Sequence, residues 1–225
     1  MQTAKSQVLL PRFTAWCLHP LAKPLVFLMA LLPLASLLWA LVFDQLGANP
    51  AQALVRATGD WTLRMLCVVL AVTPLRVMAK NPALARMRRM LGLFVYFYAV
   101  LHMLSYSGFD MAFDVGDIGH DIVKRPFILV GFTAFVLLTS LALTSMNWAI
   151  KALGAKNWQR LHQLVYGIAG FAILHFFWMR AGKNDFADVA IYAAILSVLL
   201  GWRLIRYLRK KRVNSLMNKH RELFK

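Results

Sequence analysis

The sequence predicts an all-α membrane protein, a polytopic bundle of about six transmembrane helices, and three observations carry that expectation. The 225 residues are 60% hydrophobic and only 16% charged, where a water-soluble domain draws about a quarter of its residues from Asp, Glu, Lys and Arg. The mean hydropathy is +0.59. Six stretches of roughly 20 mainly apolar residues occur, the length a helix needs to cross a bilayer. A formal charge of +17 would by itself suggest a polyanionic partner, but 15 Phe, 11 Met and 7 Trp on so apolar a chain exclude a soluble nucleic-acid binder. The same composition excludes disorder. Cys17 and Cys67 are the only cysteines, too few for a disulfide framework or a four-thiolate metal site.

The expected spans lie near 25–43, 61–79, 90–109, 126–148, 161–179 and 187–205. The first has no charge, and its Pro33 is tolerable inside a packed bundle. Its distance from the N-terminus and its lack of a small-residue exit argue against a cleaved signal peptide. The second holds Arg64 near one end and Thr73-Pro74 near the other, which makes it the least regular. The fourth opens on Pro126, suited to a first helical turn because its missing N–H would be unpaired there anyway. In the fifth and sixth, Gly167, Gly170, Ala193, Ala194, Ser197 and Gly201 are the small residues that close helix packing in lipid favours. Connections are short, so no soluble catalytic domain is expected.

Charge sets the expected orientation. Placing the N-terminus inside puts 20 of the 26 Lys and Arg on cytoplasmic segments and 8 of the 9 Asp and Glu outside. The one-sided Lys/Arg distribution is the signature of topology, with attraction to anionic membrane lipid added; no nucleic acid is needed. Both termini are then cytoplasmic, and the chain divides into an N-terminal segment 1–24, a membrane domain 25–206 and a basic tail 207–225, read as a solvated juxtamembrane helix end. The acidic run FDMAFDVGDIGHD matches no calcium-loop spacing and reads as a polar outer loop, with docking of an outer partner as its functional alternative.

Six histidines remain. His19, His120 and His220 fall on solvated segments. His102, His162 and His175 fall within expected spans, where an ionisable group is costly and marks function. His102 stands about 18 Å above the start of its span and His175 about 20 Å above His162, so His102 and His175 share one level on two helices running the same way. That placement suits two axial imidazoles on one b-type haem; a pair hydrogen-bonded in a helix interface is the structural alternative. His162 lies at the inner level and points roughly 140° away from His175 on an ideal helix. Arg88 precedes His102 by 14 residues, about 40° from the same face. His162, Arg88 and Arg89 thus mark an inner site with three readings: a five-coordinate haem, a flavin phosphate held by planar guanidinium forks, or positive-inside charge alone. Tyr96, Tyr98, Tyr106, Tyr166 and Trp178 are candidates to line a cofactor cavity, with bundle packing the plainer role for each.

The segments RRMLGLFVYFYAVLHMLSY, RPFILVGFTAFVLLTSLALTS and LGAKNWQRLHQLVYGIAGFAILHFFW resemble the MsrQ (YedZ) family, the haem-binding membrane subunits of the bacterial protein-methionine-sulfoxide reductase system, within the wider ferric-reductase-like group. The resemblance covers about residues 60–210, and the block from Trp158 to Tyr166 is its most specific part. In that group two helices usually carry two histidines each; His102, His162 and His175 match three of the four positions and Arg88 or Arg89 takes the fourth. The resemblance therefore implies a haem b held by His102 and His175, with His162 as a possible inner iron ligand or, with Arg88 and Arg89, part of a site for FMN. It implies an electron-transfer subunit without substrate chemistry of its own, in the bacterial inner membrane. The donor would be the quinone pool or a cytosolic flavin reductase, because no Gly-rich nucleotide motif is present. The acceptor would be a periplasmic molybdopterin subunit that reduces methionine sulfoxide. A direct ferric or metal reductase at the outer face, and a small proton-coupled transporter, are the competing functions.

Overall fold

A computed structural model describes residues 12–182 and 184–223. Among them the chain forms only helices: α1 Arg12–Leu18, α2 Ala22–Val42, α3 Pro50–Met78, α4 Ala85–Ser105, α5 Val115–Lys124, α6 Pro126–Leu143, α7 Asn147–His162, α8 Val165–Ala181 and α9 Ala187–Leu223. Six stretches among the described residues are long and apolar enough to span a membrane: α2, α3, the run through α4 from Pro82 to Asp110, α6, α7 with α8, and α9 as far as Met217. The protein is a multi-pass membrane helix bundle. Its core, with Leu66, Leu70, Val95 and Tyr98 almost fully buried, lies where α3 and α4 pack together. Large apolar side chains such as Leu28, Met29, Leu32 and Val198 stay exposed on the outside, as lipid-facing positions should. Residues 1–11 of the N-terminal segment and the side chain of His220 lie outside the described residues.

Local chemistry sets the helix starts. The Asn49 side chain accepts from the Gln52 N–H at 3.0 Å, and Pro50 takes the first helical position. This pair starts α3 eleven residues earlier than hydropathy places the second span. The added turns carry Gln52, Arg56 and Asp60, which line an internal cavity, so their polarity is no obstacle to a helix at this depth. Arg64 is satisfied as well: its Nε donates to Tyr192 Oη at 2.9 Å and its guanidinium lies 4.7 Å from the Trp61 ring centre. Asp114 caps α5 through the Asp117 N–H at 2.9 Å.

At both internal prolines a side chain from another helix enters the turn. A proline at i removes the N–H that would pair with the carbonyl at i−4 and pushes that turn open. Around Pro33 the Tyr98 hydroxyl enters the opened turn of α2, donating to Ala30 O at 2.7 Å and accepting from Leu34 N–H at 3.2 Å. Pro74 frees the carbonyl of Leu70, and the Arg203 guanidinium of α9 donates to it, while also donating to Leu199 O at 2.9 Å. Each proline has thereby become a tie between helices.

The expected fifth span, 161–179, is α8 preceded by the last residues of α7. His162 ends α7, and i→i−3 bonds from Gln163 to Arg160 and from Leu164 to Leu161 tighten the chain before α8 begins. The ideal-helix angle behind the expected 140° offset between His162 and His175 belongs to a continuous helix, which this turn interrupts. Gly154 also breaks α7 internally, with φ +73° and ψ 152° that only glycine tolerates. Gly167, Gly170 and Gly201 do not mediate the close packing expected of them: a methyl group at any of the three would meet nothing within 4 Å, and Ala194 and Ser197 are exposed. Finally, α9 runs unbroken across residue 206; its 37 residues are about 55 Å long, well beyond the roughly 30 Å of hydrocarbon, so the basic tail continues the last spanning helix as far as Leu223.

Candidate functional site

Towards the acidic end of the bundle, where α3 and α6 begin, a cavity of about 650 Å³ opens between α3, α4, α6 and α8. That volume is in the range of cofactor sites, about 300–1,000 Å³. His102 from α4 and His175 from α8 face each other in it, with ring centres 6.2 Å apart and ring planes at 73°. Sequence depth alone brings them to one level; the structure turns them towards each other. His102 Nδ1 lies 2.9 Å from Val55 O, and His175 Nδ1 lies 2.6 Å from Phe127 O. A carbonyl only accepts, so each Nδ1 carries the proton and each Nε2 keeps its lone pair.

This arrangement fits a metal centre sandwiched between two imidazoles. A metal–imidazole bond is about 2 Å and the ring centre stands about 1.2 Å behind the ligating nitrogen, so two rings on opposite sides of one ion have centres ~6.4 Å apart. The observed separation is 6.2 Å. Ligating histidines also almost always donate their other N–H to a carbonyl or carboxylate, and both rings here do so. Mostly apolar side chains line the rest of the cavity, including Leu63, Val95, Phe132 and Phe135.

Its rim is polar. Arg56 and Arg125 line it together with Asn49 and Gln52. Arg125 Nε pairs with Asp121 Oδ1 at 2.9 Å, and Tyr106 Oη donates to Asp121 Oδ2 at 2.7 Å, so the buried Asp121 orients both neighbours. Sequence analysis missed Arg56, Arg125, Asp121 and the glycines beneath the rings. A signal for the arginines was present: they belong to the few basic residues on the acidic side of the bundle, against the general charge bias. Among the aromatic candidates, Tyr106 lines the cavity, whereas Tyr98 pins α2, Tyr96 stacks on Phe135, Tyr166 lies beneath Arg203 and Trp178 is exposed.

At the basic end, His162 stacks on Trp158 with ring centres 3.9 Å apart. Its Nδ1 lies 3.1 Å from Trp158 O and its Nε2 3.4 Å from Ser145 Oγ. No second imidazole faces it among the described residues. Arg88 lies within electrostatic reach of both His162 and Arg203, and Arg89 donates to Asn147 Oδ1 at 2.6 Å. The remaining described histidines are peripheral: His19 accepts from the Leu21 N–H at 3.2 Å, and His120 is exposed on α5.

A bundle of this kind, with the facing imidazoles at one end, is of the ferric-reductase-like class: the family model described as the ferric reductase like transmembrane component matches residues 58–173, from α3 into α8. The chain is similar over most of its length to proteins named protein-methionine-sulfoxide reductase heme-binding subunit MsrQ. The one from Polaromonas naphthalenivorans (strain CJ2) is 70% identical over 88% of this chain and 90% of its own. The one from Herminiimonas arsenicoxydans is 51% identical over 87% and 89%, and the one from Bordetella pertussis 49% identical over 84% and 91%. No solved structure matches. The chain belongs to the MsrQ family.

Proposed function

We propose that this protein is a membrane b-type cytochrome subunit. It passes electrons from quinol or a cytosolic flavin reductase, across the bacterial inner membrane, to a periplasmic molybdopterin methionine-sulfoxide reductase that repairs oxidised proteins. The names of its relatives support the haem and the partner system. The observation that carries the reading is the pair of facing imidazoles, His102 and His175, each with Nδ1 tied to a backbone carbonyl. Haem b between them would supply one-electron carriage at a potential set by ligands, hydrogen bonds and burial. The chain's own residues do the rest: the carbonyls of Val55 and Phe127 orient the rings, the apolar wall excludes water, and Arg56 and Arg125 offer cationic forks for carboxylates at the rim.

The inner carrier is assigned to His162, Arg88 and Arg89. Stacking on Trp158 and partners at both ring nitrogens favour FMN, its phosphate held by the arginines, over iron ligation by His162. The charge bias supports cytoplasmic termini, which puts the donor at the basic end and the partner at the acidic end. Asp114 and Asp121 are already used, as a helix cap and as the partner of Arg125 and Tyr106, so the acidic loop suits protein docking better than cation collection.

The test is electron delivery. Membranes containing the chain, supplied with a cytosolic flavin reductase and its reductant on the basic side, should drive sulfoxide reduction by an added molybdopterin reductase on the other, and His102→Ala should stop it. Ferric citrate reduction without any partner, lost when Asp114, Asp117 and His120 are replaced together, would establish a direct metal reductase instead.

A further inference from the structure

The two imidazoles rest on their neighbouring helices in the same way. Val55 O, which accepts from His102, lies four residues before Gly59 on α3; Phe127 O, which accepts from His175, lies four residues before Gly131 on α6. In an α-helix the residue at i+4 stands one turn above the carbonyl at i, and its Cα–Cβ bond tilts back towards the helix N-terminus, over that carbonyl. A side chain at i+4 therefore occupies the approach by which a ring from the next helix reaches the carbonyl. Both positions are glycine.

The distances show that the space is used. A methyl group at Gly131 would lie 2.7 Å from His175 Nδ1, 2.9 Å from Cε1 and 3.1 Å from Cγ. At Gly59 it would lie 3.1 Å from His102 Cε1 and 3.2 Å from Nδ1. Gly167, Gly170 and Gly201, on α8 and α9, would meet nothing within 4 Å. Glycine inside a helix is unfavourable relative to alanine, so its use under both rings is explained by the rings themselves.

We infer that Gly59 and Gly131 are paired positioning residues: each lets one imidazole lie against the neighbouring helix and donate its Nδ1 proton to the carbonyl one turn below. The bond fixes the tautomer, leaves Nε2 as the ligating nitrogen and makes the ligand more basic. The pairs α3–α4 and α6–α8 thus repeat one device, a carbonyl and a glycine on one helix and a histidine on the other. This inference rests on the assignment of His102 and His175 as haem ligands and extends it to residues that do not touch the iron.

The experiment compares purified wild type with Gly131→Ala, Gly59→Ala and, as a control for helix propensity, Gly170→Ala. It reads haem content, the oxidised electron paramagnetic resonance spectrum and the midpoint potential. Gly131→Ala should lose more than half of the low-spin signal. Gly59→Ala, whose methyl requires the ring to give by only a few tenths of an ångström, should keep its haem with shifted g values and a more positive potential; Gly170→Ala should match wild type. If Gly131→Ala does not accumulate, Gly59→Ala carries the test, because its altered signature is read on folded, haem-loaded protein. Wild-type g values and potentials in the glycine variants, with haem still lost in His102→Ala and His175→Ala, would overturn this inference alone. A wild-type protein without haem would overturn the ligand assignment beneath it.

Discussion

Tyr98 shows how much one hydroxyl does in this bundle. Its side chain is fully buried, and its oxygen serves both halves of the turn that Pro33 opens in α2. Tyr98→Phe keeps the ring and its packing but removes both hydrogen bonds that tie α4 to α2; the Ala30 carbonyl and the Leu34 N–H can pair with each other along the helix, so the cost is that of the lost tie, about 0.5–1.5 kcal/mol. A lower melting temperature with an unchanged visible spectrum is the expected result; a changed spectrum would place Tyr98 in the site after all. His102 and His175 could be singled out in the sequence because ionisable residues inside apolar spans are rare enough to stand out. Sequence reasoning named Tyr98 without finding its task, since nothing near Tyr98 in sequence points to a proline on another helix. Gly59 and Gly131 were invisible for a related reason: a glycine's use depends on what approaches it from another helix.

Between elements, the tie between α3 and α9 has the same logic and can be measured as a coupling. Arg203 on α9 donates to the Leu70 carbonyl that Pro74 deprives of its usual partner. Arg203→Met should destabilise the protein by about 1–3 kcal/mol by leaving that carbonyl unpaired. In a Pro74→Ala background the helix supplies its own N–H to Leu70, so the cost of Arg203→Met should shrink. A double-mutant cycle on melting temperature reads the difference, and strictly additive effects would rule the coupling out. Hydropathy located the six spans well because membrane length fixes a helix's minimum. Their ends were less legible. The Asn49-Pro50 cap extends α3 past its apolar stretch, and the turn after His162 sets the start of α8, through local hydrogen bonding that hydropathy does not sense.

For the whole molecule, depth and charge set the two candidate sites at opposite ends. The facing imidazoles sit towards the acidic end, and the arginines and His162 gather at the basic end. Core residues such as Leu66, Leu70, Val95 and Tyr98 fill part of the interior. The role proposed for the protein takes these two ends as the places of two carriers, with a partner at each face. Everything in that role depends on haem held by two particular rings. The most direct measurement is the visible spectrum of the detergent-purified protein before and after dithionite, taken for wild type, His102→Ala, His175→Ala and His162→Ala. Wild type should show b-type bands, each of the first two variants should lose them, and His162→Ala should keep them at least in part. A colourless wild type from haem-replete cells, or full bands in both His102→Ala and His175→Ala, would contradict the proposed role.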